Sequence, residues 1–163
     1  MSIVKVGFSY HKGKVFSNLI RWVTDSEISH VYVRLPTSIG KDIIFQASGM
    51  EVNLCGVDLF IKNGGVIVEE YDVEVSEKVY AATKSFIIDN LGKPYSMLEV
   101  FGFLFVILIK KFGRWINNPF AQGDKAYICV QLVMDYVGME SNSERWSPED
   151  FRRWCKDNAK KVS

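Results

Sequence analysis

Short strand-like runs closed by turn residues fill the first half of the chain, and this succession restricts the fold more than any other feature. Ile3–Phe8, Ile28–Leu35, Lys41–Ala47, Glu51–Leu54 and Val66–Val75 have the lengths and residue types of strands. Pro36 halts the second run, Ser48-Gly49-Met50 turns after the third, and Gly64-Gly65 turns before the last. Ser9–Lys14 reads as a polar loop. Val15, Leu19, Ile20, Trp22 and Val23 then recur at helical spacing, with Ser17 and Asn18 on the outer side, and Thr24–Glu27 ends that helix. Beyond Val75 the pattern becomes helical. Ser76 caps a helix from Glu77 to about Asn90, which Gly92 and Pro94 break. Ser147 caps another, with Pro148 in the first position and Glu149 and Asp150 facing the helix dipole. With 163 residues and no repeat or linker, one domain spanning 1–163 is expected.

Charge and cysteine usage exclude several classes. A formal net charge of +1 lacks the basic excess of a nucleic-acid binder. Cys55, Cys129 and Cys155 are odd in number and widely spaced, with no Cys-x-x-Cys pair, which points away from a zinc site or a disulfide framework. No metal or cofactor is expected. Free thiols and an N-terminus without a secretory pattern imply a reducing, cytoplasmic setting, with export left to a phage or toxin-like route.

Chemistry centres on Tyr127–Tyr136. Cys129 heads an apolar run in which Val130, Val133, Met134 and Val137 repeat at helical spacing, and Gly138 caps its end. A thiol in the first turn of a helix faces unpaired N–H groups and the positive end of the dipole, which favour thiolate; a free cysteine is also a common buried hydrophobe. Two histidines narrow the search for a base. Strand alternation places His30 on one face with Tyr32 and Arg34, opposite Val31 and Val33, and His11 falls in the polar loop at the surface. A histidine that takes the thiol proton and a polar group that orients the ring complete a thiol site. Gln46, on the next strand, can accept from the ring N–H, and Ser48 and Glu51 are alternatives.

Val100–Ile109 carries no polar side chain and is followed by Lys110, Lys111, Arg114 and Trp115. The run is shorter than the roughly 20 residues a spanning helix needs. A helix buried on all sides is the expectation, and the stretch 100–115 is alternatively a contact for a membrane surface or a partner protein.

Several blocks in order resemble the circularly permuted branch of the NlpC-type, papain-like cysteine hydrolases, which includes YiiX-like bacterial proteins and relatives of lecithin retinol acyltransferase. Asp25–Val33 is similar to the family's serine-histidine-valine strand, and Ile43–Ala47 to the strand that often carries a glutamate. Leu91–Ser96 is similar to the glycine-x-proline-tyrosine turn, Tyr127–Val133 to the nucleophile helix and Trp146–Phe151 to the serine-proline-x-aspartate segment. The resemblance implies an α+β, papain-like fold: a mostly antiparallel sheet packed on helices, with the cysteine helix at the sheet edge. It implies Cys129 as nucleophile, His30 as base and Gln46 at the orienting position, with Tyr95 and Tyr127 lining the site. The Cys129 backbone N–H is the expected oxyanion donor. Implied substrates are amide bonds of cell-wall peptides or acyl lipids. Because Gln46 replaces the common glutamate, a catalytically inactive lipid- or partner-binding module on the same fold is the rival reading.

Overall fold

The computed structural model describes residues 1–111, 113, 127–139 and 146–163. β1 (Ser2–His11), β2 (His30–Leu35), β3 (Ile43–Ser48), β4 (Glu51–Gly56), β5 (Gly65–Val75) and β6 (Lys160–Lys161) form one antiparallel sheet in the order β4-β3-β2-β1-β5-β6. The helices are α1 (Val15–Thr24), α2 (Val57–Lys62), α3 (Glu77–Asn90), α4 (Met97–Lys111), α5 (Cys129–Tyr136) and α6 (Pro148–Asn158). The α+β architecture is the one expected from the sequence.

Strand alternation sorts the core into two layers. Val31 and Val33 of β2 and Phe45 and Ala47 of β3 join Val130, Leu132, Val133 and Met134 of α5 in the main cluster, with Phe151 and Cys155 of α6. Tyr32 and Ile44 belong to a separate cluster around Phe60 of α2. Gly7 pairs with Tyr32 in the ladder, and the tyrosine ring occupies the space a Cβ at position 7 would need. Tyr32 Oη donates to Glu70 Oε1 at 2.9 Å.

The ends of α5 and α6 follow from local sequence. Gly138 takes a left-handed φ of 72° after α5. Its N–H reaches the Asp135 carbonyl (3.1 Å) and the Met139 N–H reaches Met134 (3.0 Å), which together satisfy two terminal carbonyls in a Schellman motif. Ser147 and Asp150 form a reciprocal capping box with Pro148 behind the cap.

Four expectations need correction. The cysteine helix stands over β2 and β3, inside the sheet and not at its edge. Within α5 only Asp135 is exposed, and a helix apolar on nearly every side needs cover from the sheet and from α3 and α6 together. α4 is not buried all round: Val100, Phe103 and Leu104 turn inward, while Leu98, Phe101 and Phe105 face out. α1 is turned so that Ser17 is buried and Val15 and Trp22 are exposed. Ser9–His11 is strand, because β1 continues past a bulge at Phe8/Ser9 to pair with Gly65–Ile67. The six-residue α2 is too short for periodicity to announce it. Arg114 and Trp115, from the stretch 100–115, lie outside the described residues.

Candidate active site

The glycine-proline turn holds the start of the cysteine helix in place. Val52 N–H donates to the Lys93 carbonyl (2.8 Å), Gly92 N–H to Val52 (2.8 Å) and Tyr95 N–H to Met50 (2.8 Å), so residues 92–95 lie along the outer edge at β4. Tyr127 N–H then donates to Pro94 (3.0 Å) and Ser96 N–H to Tyr127 (3.0 Å), forming a parallel bridge between Tyr95 and Tyr127. The backbone is thereby fixed two residues before Cys129.

A chain of side-chain hydrogen bonds fixes the His30 ring. Asn53 of β4 donates through Nδ2 to the carbonyls of Ser48 (3.3 Å) and Glu51 (3.2 Å), which turns its Oδ1 toward Gln46. Gln46 Nε2 donates to that oxygen at 3.2 Å and contacts Cys55 Sγ at 3.4 Å. Gln46 Oε1 therefore faces His30, and His30 Nε2–H donates to it at 2.8 Å. The ring is left with a lone pair on Nδ1, the arrangement a general base requires. Of the three residues considered for the orienting position, Gln46 bonds the ring. Ser48 lines the cavity beside it, and Glu51 is exposed.

His30 is 7% exposed, and burial lowers its pKa to about 4; the Gln46 bond opposes this, and neighbouring His11 adds to it. His11 is half-buried at the end of β1, its ring 6.2 Å from that of His30 and 5.0 Å from Phe60. The polar-loop reading missed it, because a bulge that prolongs a strand leaves no clear trace in hydrophobic periodicity.

Cys129 is the first residue of α5, as the helix signal indicates, and only 5% exposed. The backbone N–H groups of Val31, Val130 and Cys129 favour its thiolate, but burial outweighs them and raises the thiol pKa to about 11. The helix start alone therefore does not activate this sulfur. No hydrogen bond joins Cys129 Sγ to the His30 ring among the described residues. Burial therefore favours the neutral form of both groups.

Two cavities flank these groups. One, beside Cys129, is lined mainly by apolar residues, among them Val100, Phe103 and Leu104 of α4, Ile128 and Trp146. The other, beside His30, includes His11, Lys14, Ser17 and Ser48. Ile20, Ser29 and Tyr95 line both. Ser29 Oγ is 2.6 Å from Ser17 Oγ, which also accepts from the His11 N–H (3.1 Å), so the shared wall is tied to β1 and α1. Tyr95 thus lines both cavities. Tyr127 lines neither cavity; it belongs to the core, with Lys93 Nζ 5.4 Å from its ring centroid. Sequence reasoning did not single out Ser29 or Asn53, whose parts depend on side-chain meetings across the fold.

No family model and no curated protein matches this sequence. In structure the chain is similar to the metalloprotein yiiX from Escherichia coli O157:H7. The TM-score is 0.54 at 16% identity, covering 99% of this chain and 87% of that one. At that identity the likeness shows a shared fold. Among the described residues here, no group of three His, Cys, Asp or Glu side chains is placed to hold a metal ion, so the described donor set does not fit one.

Proposed function

We propose that this chain is a thiol-dependent acyl hydrolase or acyltransferase of the permuted NlpC-type kind, acting through an acyl-enzyme on Cys129 with His30 as base. The observation that carries the reading is the fixed His30 ring. Its Nε2–H is committed to Gln46 and, through Asn53, to two backbone carbonyls, which leaves Nδ1 as the proton acceptor. The thiol proton passes to His30 Nδ1 as Sγ attacks the carbonyl carbon, and the N–H groups at the start of α5 receive the oxyanion. The C–N or C–O bond then breaks, and the imidazolium returns its proton to the leaving group. Water, or another acceptor, attacks the thioester while His30 removes its proton, and Cys129 leaves as the thiol. Of the substrates implied by the resemblance, acyl lipids match the apolar lining beside Cys129 better than polar wall peptides, although the cavity there, at about 20 Å³, must widen to admit an acyl chain.

The test is intact-protein and peptide mass spectrometry after incubation with short- and medium-chain p-nitrophenyl acyl esters. A thioester adduct on the Cys129 peptide is expected, slow to form in His30→Ala and lost in Cys129→Ala. Absence of that adduct with every ester would leave the second reading, a non-catalytic binding module. The raised thiol pKa and the absence of a Cys129–His30 hydrogen bond favour that alternative.

A further inference from the structure

The outward side of α4 is apolar and charged in a way that selects an occupant. Leu98, Phe101 and Phe105 follow i, i+3, i+7 spacing and are 57%, 47% and 51% exposed. α1 packs beside α4, and the Phe16 and Phe101 rings lie 5.3 Å apart. Val15 and Trp22, also seven residues apart, are exposed on α1. Among the described residues at the ends of α1, cations outnumber carboxylates, with exposed Asp25 at the α1 C-cap the one acidic side chain. α1 contains no acidic residue, and Glu99, the one carboxylate of α4, is buried. Exposed Lys12 and Lys14 precede α1, and the sequence of α4 ends in Lys110-Lys111.

We propose that this face seats on an anionic lipid bilayer. Phenylalanine and leucine enter the headgroup–acyl boundary, Trp22 sits at the interface, and lysines meet lipid phosphates. Apolar bulk flanked by an excess of cations is what an anionic membrane recognises. No helix among the described residues is long and apolar enough to cross a membrane, so the contact is interfacial. The inner side of the same helix walls the cavity beside Cys129 through Val100, Phe103 and Leu104. Docking would place that cavity at the lipid surface, an inference that rests on the acyl-lipid form of the proposed function.

The experiment is co-sedimentation of the full chain with phosphatidylcholine vesicles, with and without phosphatidylglycerol, for wild type and Phe101→Asp/Phe105→Asp. Both positions are exposed, so folding should survive, which circular dichroism checks; Phe105→Ser is the milder variant. Expected results are recovery with anionic vesicles, weakening by salt, and a loss of about tenfold in the double variant. No recovery on anionic vesicles, or equal recovery of wild type and both variants, would overturn the proposal. Ester acylation of Cys129, measured without vesicles, separates the two ideas. Acylation without vesicle binding removes the docking surface alone, and vesicle binding without acylation removes the enzyme reading alone.

Discussion

At the scale of single residues, the site depends on which way one amide points. Gln46 gives His30 an acceptor without a charge, and Asn53 holds that amide by spending its own donors on backbone carbonyls. Replacing Gln46 with Glu puts a carboxylate against the ring, which favours imidazolium, so the His30 pKa should rise from about 4 by more than one unit. NMR titration of the histidine Cε1–H reads this directly, and an unmoved pKa would mean that Gln46 does not govern the ring. Asn53→Ala frees the amide to turn. Both neutral tautomers of His30 should then appear in ¹⁵N spectra of the imidazole, with the fold retained. Gly7 is a separate case, because Tyr32 fills the place of a Cβ there. Gly7→Ala should destabilise the protein by about 2 kcal/mol in urea unfolding, since buried Tyr32 has little room to move.

At the scale of elements, the ends of the helices carry more information than their middles. The cap of α6 combines Ser147, Pro148 and Asp150, and the same residues begin the segment that places Trp146 and Pro148 beside the Cys129 cavity. Ser147→Ala should cost about 1 kcal/mol of stability by denaturant unfolding. Under the proposed acyl-enzyme reading, the same substitution should also slow acylation of Cys129, because it loosens the wall of that cavity. At Cys129 burial raises the thiol pKa more than the N–H groups at the helix start lower it. The dipole and the N–H groups are there, but a thiol covered by the sheet and neighbouring helices loses more through desolvation than it gains from them.

At the scale of the whole molecule, acid should be the main threat to the fold. Arg152 Nε donates to Glu69 Oε2 at 2.7 Å, and Lys161 and Tyr71 also donate to that carboxylate, linking α6 and β6 to β5. Arg152, followed by Lys161 and Tyr71, holds the Glu69 pKa at about 2, below its unfolded value of 4.5. A depressed carboxylate stabilises the fold fully above its unfolded pKa, and that stability is lost as pH falls through the folded value. His30, buried as the neutral form, adds an earlier loss between its unfolded value of 6.5 and about 4. Tm should therefore fall in two stages between pH 6.5 and pH 2. Glu69→Gln should remove the lower stage at the expense of neutral-pH stability, on the order of 2 kcal/mol. Thermal melts across that range check both stages, and a flat profile would contradict the assignment.

The sequence by itself determined the strand succession, the capped starts of α3 and α6, the Gly138 end of α5 and the position of Cys129 at a helix start. Each is local: a turn residue, a cap or a period of two or 3.6 suffices. It also determined that His30 shares a face with Tyr32 and not with Val31, because alternation is a property of the strand alone. Only the tertiary structure decided that α5 lies over the inner strands, that α4 is covered on one side, and that His11 reaches the His30 cavity. The Asn53–Gln46–His30 chain and the upward shift of the Cys129 pKa were decided there as well. Hydrogen bonding between strands depends on register, and a pKa depends on how much water the whole fold excludes; neither quantity is a property of a short run of residues.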